Sequence, residues 1–218
     1  MPEVEAVIWD MDGVLADTAP HHLHAWQEIF SKRGVKFTEA DFKRGFGIRN
    51  DAIIRNILGE QVTKDEIEAI AQEKEKTFRR IIGQNIRPLP GAVKLLQALD
   101  KHGVRMAIAS STTIENIRLI IGGMDIENCF KAVVTGHDVT EGKPSPQVFL
   151  LAAKRLGAEP ENCIVVEDSV AGVVAAKSAG MYCVAVTNTH PREKLKEADL
   201  IVDTLEAVSV KDILKLIK

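Results

Sequence analysis

The chain has 218 residues, 45% hydrophobic and 27% charged, with a net charge of −3 at pH 7. That length makes one large domain or two small ones, and the composition is ordinary for a globular protein, not for a disordered or fibrous one. The mild negative charge argues against a broad polyanion-binding surface, so no nucleic-acid partner is expected. Residues 4–9 carry the apolar run Ala6-Val7-Ile8-Trp9 and read as a buried strand. At its C-terminal tip stands Asp10-Met11-Asp12-Gly13. Two carboxylates at a strand end can divide the work: one faces a substrate and a metal, and the other moves a proton. This points to phosphoryl transfer through an aspartyl-phosphate, a form of covalent carboxylate catalysis. A calcium loop is disfavoured, because it needs more oxygen ligands and a closing Glu, whereas Val14-Leu15-Ala16 follows here.

Residues 21–33 place Leu23, Trp26, Ile29 and Phe30 at helical spacing, with Gly34 as the stop. Two shorter helices are predicted next. One starts near Thr38, and the other is capped by Asn50 and carries Ile53, Ile54, Ile57 and Leu58. Thr63 and Glu66 have the spacing of a capping box and open a helix with Ile67, Ile70, Ala71, Phe78, Ile81 and Ile82 on one stripe. Lys74 falls on that stripe, where it either reaches a cleft or snorkels to water. Glu75, Lys76, Arg79 and Arg80 around it read as a solvated face. No strand is predicted between residues 19 and 86, so this stretch is an all-helical module.

Pro88-Leu89-Pro90-Gly91 marks a boundary. Beyond it, short apolar strands at 104–109, 132–135, 163–167, 182–186 and 200–202 alternate with amphipathic helices. Pro146 suits a first helical turn, with Ser145 as its cap. The alternation implies an α/β fold, a doubly wound parallel sheet covered on both faces. The first strand belongs to the same sheet. The core domain is therefore discontinuous, residues 1–17 and 88–218, with a helical domain of residues 18–87 inserted.

Cys129, Cys163 and Cys183 are odd in number and far apart. They are expected to be free thiols in a reducing, cytoplasmic setting. The acidic N-terminal stretch leads straight into a strand, so neither a signal peptide nor a membrane span is expected.

In an open parallel sheet, ligands bind beyond the carboxyl ends of the strands. Asp10 and Asp12 end the first predicted strand, Ser110 and Ser111 the second, and Glu167 and Asp168 the fourth; Lys143 precedes a helix. Asp10-Met11-Asp12-Gly13-Val14-Leu15-Ala16-Asp17-Thr18, Ile108-Ala109-Ser110-Ser111, Gly142-Lys143-Pro144 and Val166-Glu167-Asp168-Ser169 resemble, in order, the four motifs of the haloacid dehalogenase superfamily. The helical insertion resembles the C1 type of cap. Within the superfamily the chain is most similar to the β-phosphoglucomutase-like group, where Asp17-Thr18-Ala19, His22 and Ala25-Trp26 match.

The resemblance implies roles for these residues. Asp10 is the nucleophile and Asp12 the general acid/base. Mg²⁺ is held by Asp10, the Asp12 carbonyl and Asp168, with Glu167 assisting directly or through water. Ser110, Ser111 and Lys143 bind the phosphoryl oxygens. His22, Arg49 and Lys74 align with cap positions that face the active site or its substrate, and Thr112 is expected to contact the substrate with them. The three cap residues each have a bland alternative: a helix-surface histidine, an exposed loop cation, a snorkelling lysine. One departure matters. Thr113 and Ile114 stand where a mutase is expected to carry a lysine and an asparagine for a second phosphate. The expected activity is therefore a Mg²⁺-dependent phosphatase acting on a small sugar or polyol phosphate, as a monomer. The alternatives are a β-phosphoglucomutase-type mutase and, third, a non-catalytic protein that binds phosphorylated ligands. Dehalogenation is disfavoured, since a halide leaves without the proton that Asp12 offers. Phosphonate cleavage would require Lys74 to form a Schiff base.

Overall fold

The computed structural model describes residues 3–83 and 85–217. Six parallel strands form the sheet: β1 (Ala6–Trp9), β2 (Arg105–Ala109), β3 (Ala132–Val134), β4 (Cys163–Glu167), β5 (Tyr182–Val186) and β6 (Leu200–Val202). Their order is β3-β2-β1-β4-β5-β6, so the connectivity reverses between β1 and β4. Both strands are paired in register there, Ala6 with Cys163 and Trp9 with Val166. A crevice at the carboxyl ends forms at such a reversal.

The sheet is covered on both sides, and its central strands are apolar apart from Arg105 at the start of β2 and Glu167 at the end of β4. Along β1, Val7 and Trp9 join one cluster with Leu95, Leu96, Ile117 and Ile120. Those residues come from α5 (Ala92–Lys101) and α6 (Ile114–Gly123). Ala6 and Ile8 point the other way, against Val148, Phe149 and Val173 of α7 (Gln147–Leu156) and α8 (Val170–Ser178). Alternate side chains thus serve opposite layers, as the period of a strand requires. A short α9 (Val210–Leu214) adds Ile213 to the first layer.

The insertion contains α1 (Ala19–Ser31), α2 (Glu39–Gly45), α3 (Asn50–Leu58) and α4 (Lys64–Ile82), and among the described residues no strand lies within it. It has its own core, with Trp26, Phe30, Phe37, Phe42, Ile54 and Ile67 buried together. The second half of α4 belongs elsewhere, because Phe78 and Ile82 join the cluster of the sheet's first face. The two chain connections run side by side: the Asp17 N–H donates to the Arg87 carbonyl and the Leu89 N–H to the Leu15 carbonyl, both at 2.9 Å. Thr38 with Asp41 and Thr63 with Glu66 both form reciprocal capping boxes.

Two predicted caps are corrected. Arg49, not Asn50, occupies the N-cap of α3, and the Asn50 amide donates instead to Glu75 at 2.7 Å. Pro146 occupies the N-cap of α7 with no side-chain bond, so Ser145 does not cap it. All three cysteines are free; burial pushes the Cys163 thiol up to about 12. Among the described residues no helix is long and apolar enough to cross a membrane.

Candidate active site

The reversal between β1 and β4 brings three carboxylates and one ammonium together. Asp10 follows β1 directly, and its N–H still donates to the Val166 carbonyl at 3.0 Å, which keeps the residue in line with the sheet. The Lys143 ammonium donates to Asp10 Oδ1 at 2.6 Å and also to Glu167 Oε1. Glu167 Oε2 accepts from the N–H groups of Asp168 and Ser169 and from the Ser169 hydroxyl. A methyl at Gly172 would lie 1.8 Å from Glu167 Oε1, so only glycine leaves room for this carboxylate. Asp168 accepts from the Thr189 hydroxyl. Gly13 allows the other close approach: with φ +81°, a Cβ there would sit 2.0 Å from Asp168 Oδ2.

The charge balance of this group is negative. Burial, reinforced by Glu167 and Asp12 and opposed by Lys143, pushes the Asp10 carboxyl up to about 7. Burial and the neighbouring Glu167 and Asp10 also push Asp168 well above the carboxylate range. Lys143 moves up in turn: burial acts against its charge, but Asp10 and Glu167 outweigh it. Buried carboxylates raised in this way favour a hard cation with oxygen ligands. Among the described residues no three His, Cys, Asp or Glu side chains form a complete cage.

A second chain of contacts runs from Asp12 into the insertion. Asp12 Oδ1 accepts from the Thr18 hydroxyl at 2.6 Å and lies 3.2 Å from His22 Nε2. His22 Nδ1 is 2.8 Å from the Lys74 ammonium. An ammonium can only donate, so Nδ1 accepts and Nε2 carries the hydrogen that faces Asp12. Burial and the adjacent Lys74 hold His22 below its ordinary value, which keeps the ring neutral. For Asp12, burial acts upward, but His22, Thr18 and Lys74 together hold it below the carboxylate range. The His22 ring stacks on Phe78 with centroids 3.8 Å apart, and Lys74 Nζ sits 5.2 Å from the Trp26 ring.

His22 and Lys74 are both buried and line the cleft between sheet and insertion, together with Asp10, Asp12, Glu75 and Ser110–Thr112. Lys74 is 2% exposed, so it does not snorkel to water. Arg49 is placed differently. Its guanidinium donates to the Val139 and Thr140 carbonyls at 3.2 Å and to Asp51 at 3.1 Å, and it does not line this cleft. The Ser111 hydroxyl donates to the Gly47 carbonyl at 2.9 Å, tying the sheet rim to the insertion. Thr112 Oγ1 accepts from Asn116 at 2.8 Å. The reading of Glu75 as part of a solvated face is corrected. It is 3% exposed, because α4 is packed against α1 and α3 on one side and against α6 on the other. Asn116, which donates to it, and Thr189 also escaped sequence reasoning; neither belongs to a motif.

A family model described as haloacid dehalogenase-like hydrolase matches residues 7–186. A phosphorylated carbohydrates phosphatase of Thermotoga maritima is 33% identical over 178 residues, 82% of this chain and 82% of that protein. The β-phosphoglucomutase of Bacillus subtilis is 33% identical over 207 residues, 91% of this chain and 89% of that one. A crystal structure of β-phosphoglucomutase from Clostridium difficile superposes with a TM-score of 0.89 at 29% identity, covering 98% of this chain and 96% of that chain. Because a phosphatase and a mutase are equally identical to this chain, the choice between water and a sugar as acceptor rests on the cleft.

Proposed function

The chain belongs to the haloacid dehalogenase-like hydrolases, and from that premise we propose that it is a Mg²⁺-dependent phosphatase of a small sugar or polyol phosphate. Residues 18–87 act as its cap and residues 1–17 and 88–218 as its catalytic core. The cavity on the outer side of Glu75, between cap and core, holds about 890 Å³, while the inner cavity beside Asp10 and Asp12 holds about 40 Å³, room for water but not for a sugar phosphate. Substrate entry therefore requires the cap to swing on the paired connections at Asp17 and Arg87.

In the first step an Asp10 carboxylate oxygen attacks phosphorus. The bond from phosphorus to the sugar oxygen breaks, and protonated Asp12 gives that oxygen its proton. In the second step water attacks the aspartyl-phosphate. Asp12, now a carboxylate, takes a proton from the water, and phosphate and free Asp10 result. The downward shift of the Asp12 carboxyl favours its ionised form, the one this second step starts from, and the Nε2–H of His22 keeps its carboxylate oriented. Lys143 and Ser110 hold phosphoryl oxygens, with Glu167 fixing the Lys143 ammonium. Mg²⁺, held by Asp10, Asp168 and the Asp12 carbonyl, would add positive charge beside the transferring group. The four hydrogen bonds that Glu167 already accepts favour its acting through Lys143. Such positioning and charge stabilisation carry most of the catalysis of phosphoryl transfer.

One observation carries hydrolysis over isomerisation. Among the described residues, Lys74 is the sole Arg or Lys lining the inner cleft beside Asp10 and Asp12, and it is paired with Glu75 at 2.7 Å; Arg49, Arg55, Lys64, Lys76 and Arg79 line a separate, larger cavity on the other side of Glu75. Arg49 is engaged with carbonyls outside it. A mutase must hold a second phosphate at that end. The mutase reading keeps its support from the B. subtilis relative, and one assay separates the two. The protein is mixed with β-glucose 1-phosphate, a trace of the 1,6-bisphosphate and Mg²⁺. Free phosphate should appear; glucose 6-phosphate accumulating without it would overturn the phosphatase reading.

A further inference from the structure

Glu75 has a place in neither the phosphoryl cradle nor the Asp12 contacts, yet it is among the most enclosed charges of the cap. It lies on α4, is 3% exposed and lines the cleft. Its Oε1 accepts from the Lys74 ammonium at 2.7 Å and from the Asn50 amide at 2.7 Å. Its Oε2 accepts from the amide of Asn116 on α6. Asn116 is held in turn, because its own carbonyl oxygen accepts from Arg79 at 2.8 Å. Donors from the start of α3, from α4 and from the core therefore hold one carboxylate rigidly.

Stability does not explain such an arrangement. A buried ion pair is weak evidence for stability, since desolvation of both charges offsets their attraction. What the arrangement controls is the charge of the cleft. Burial alone would raise the Glu75 carboxyl, but the adjacent Lys74 ammonium and the hydrogen bond from the Asn50 amide outweigh it and hold it down at about 2, so it is an anion at neutral pH. That anion cancels Lys74. A carboxylate has about four acceptor positions and protein donors fill three of them. The remaining one can accept a hydroxyl but cannot accept from phosphate or carboxylate, which bring no proton.

We propose that Glu75 is a specificity-determining residue: it makes the cap side of the cleft accept phosphomonoesters of uncharged polyhydroxy alcohols and reject esters with a second phosphate or a carboxylate. This deepens the phosphatase reading above and rests on it. Selection works here by repulsion as well as by attraction, which is how an open polar site discriminates between similar ligands.

The test compares phosphate release from glucose 6-phosphate and from glucose 1,6-bisphosphate, with Mg²⁺, for the wild type, Glu75→Gln and Glu75→Asp. The wild type should favour the monophosphate in kcat/KM by on the order of tenfold or more. Glu75→Gln should narrow that ratio by a similar factor, chiefly through a lower KM for the bisphosphate. Glu75→Asp keeps the charge and should keep the preference. Two results overturn the role of Glu75 and leave the phosphatase standing. One is a wild type that turns over both esters equally well, which needs no variant to fold. The other is a Glu75→Gln protein that melts like the wild type with its ratio unchanged. If the wild type releases phosphate from neither ester nor from any other phosphomonoester, the phosphatase reading itself fails, and this inference falls with it.

Discussion

Lys143→Met removes the one ammonium among Asp10, Glu167 and Asp168 and keeps the length and apolar stem of the side chain. Asp10 is 4% exposed, and Glu167 and Asp168 are still more buried, so bulk solvent does not compensate for the lost cation. Breaking a buried pair from one side costs about 3–5 kcal/mol. In a chain of this size each kcal/mol lowers Tm by about 2–4 °C, which gives a drop of roughly 6–20 °C. The loss should depend on pH, with a definite sign. The Asp10 carboxyl is raised in the fold to about 7, so its protonated form is the stable one. The stabilisation from protonating it is complete below the ordinary carboxylate range and disappears as pH rises through about 7. Without Lys143 to oppose burial, that window moves higher. The Tm deficit of Lys143→Met should therefore be larger at pH 8.5 than at pH 5. Calorimetry of both proteins in EDTA at the two pH values measures this. A deficit under about 2 °C at pH 8.5, or equal deficits at both, would refute the charge balance derived for the site.

Three further outcomes follow from the same geometry. Asp10→Asn should abolish phosphate release, since an amide cannot attack phosphorus, while Asp12→Asn should slow it by roughly two to four orders of magnitude; near-normal turnover in Asp10→Asn would remove the nucleophile. Chelation should stop turnover, and Mg²⁺ at about a hundred times its Kd should stabilise the metal-free protein by about 2.7 kcal/mol, read as a higher Tm. Gly172→Ala should cost about 1–3 kcal/mol as an overpacked site and lower kcat, because its methyl would displace Glu167 and so free Lys143; unchanged urea unfolding and turnover would show that Glu167 does not position that lysine.

Much of the core was legible locally. The apolar run ending in Asp10 and Asp12, and the similar run ending in Glu167 and Asp168, are each a strand with acids at its carboxyl end. Parallel pairing makes all such ends share one rim, so the motif residues meet whatever the details of packing. Caps read less well. Thr38 and Thr63 behaved as their reciprocal partners required, but Asn50 and Ser145 did not, because a longer-range acceptor or a neighbouring proline took the position. Lys74 was visible as an anomaly on an apolar stripe, although its burial against Trp26 and beside His22 was not.

The sequence by itself determined the doubly wound sheet, the helical insertion after β1 and the family to which the chain belongs, since these depend on periodicity and on side chains close along the chain. Tertiary structure alone decided the direction of Arg49, which turns to the Val139 and Thr140 carbonyls, and the burial of Glu75 between cap and core. The physical reason is the same for both. Arg49 and Glu75 are long polar side chains on short-period patterns that look exposed. Their environment is made by a surface distant in sequence, Val139–Thr140 in one case and Asn116 of α6 in the other. That surface removes the water that a local pattern assumes, and it turns a solvated glutamate into the fixed charge of a cleft.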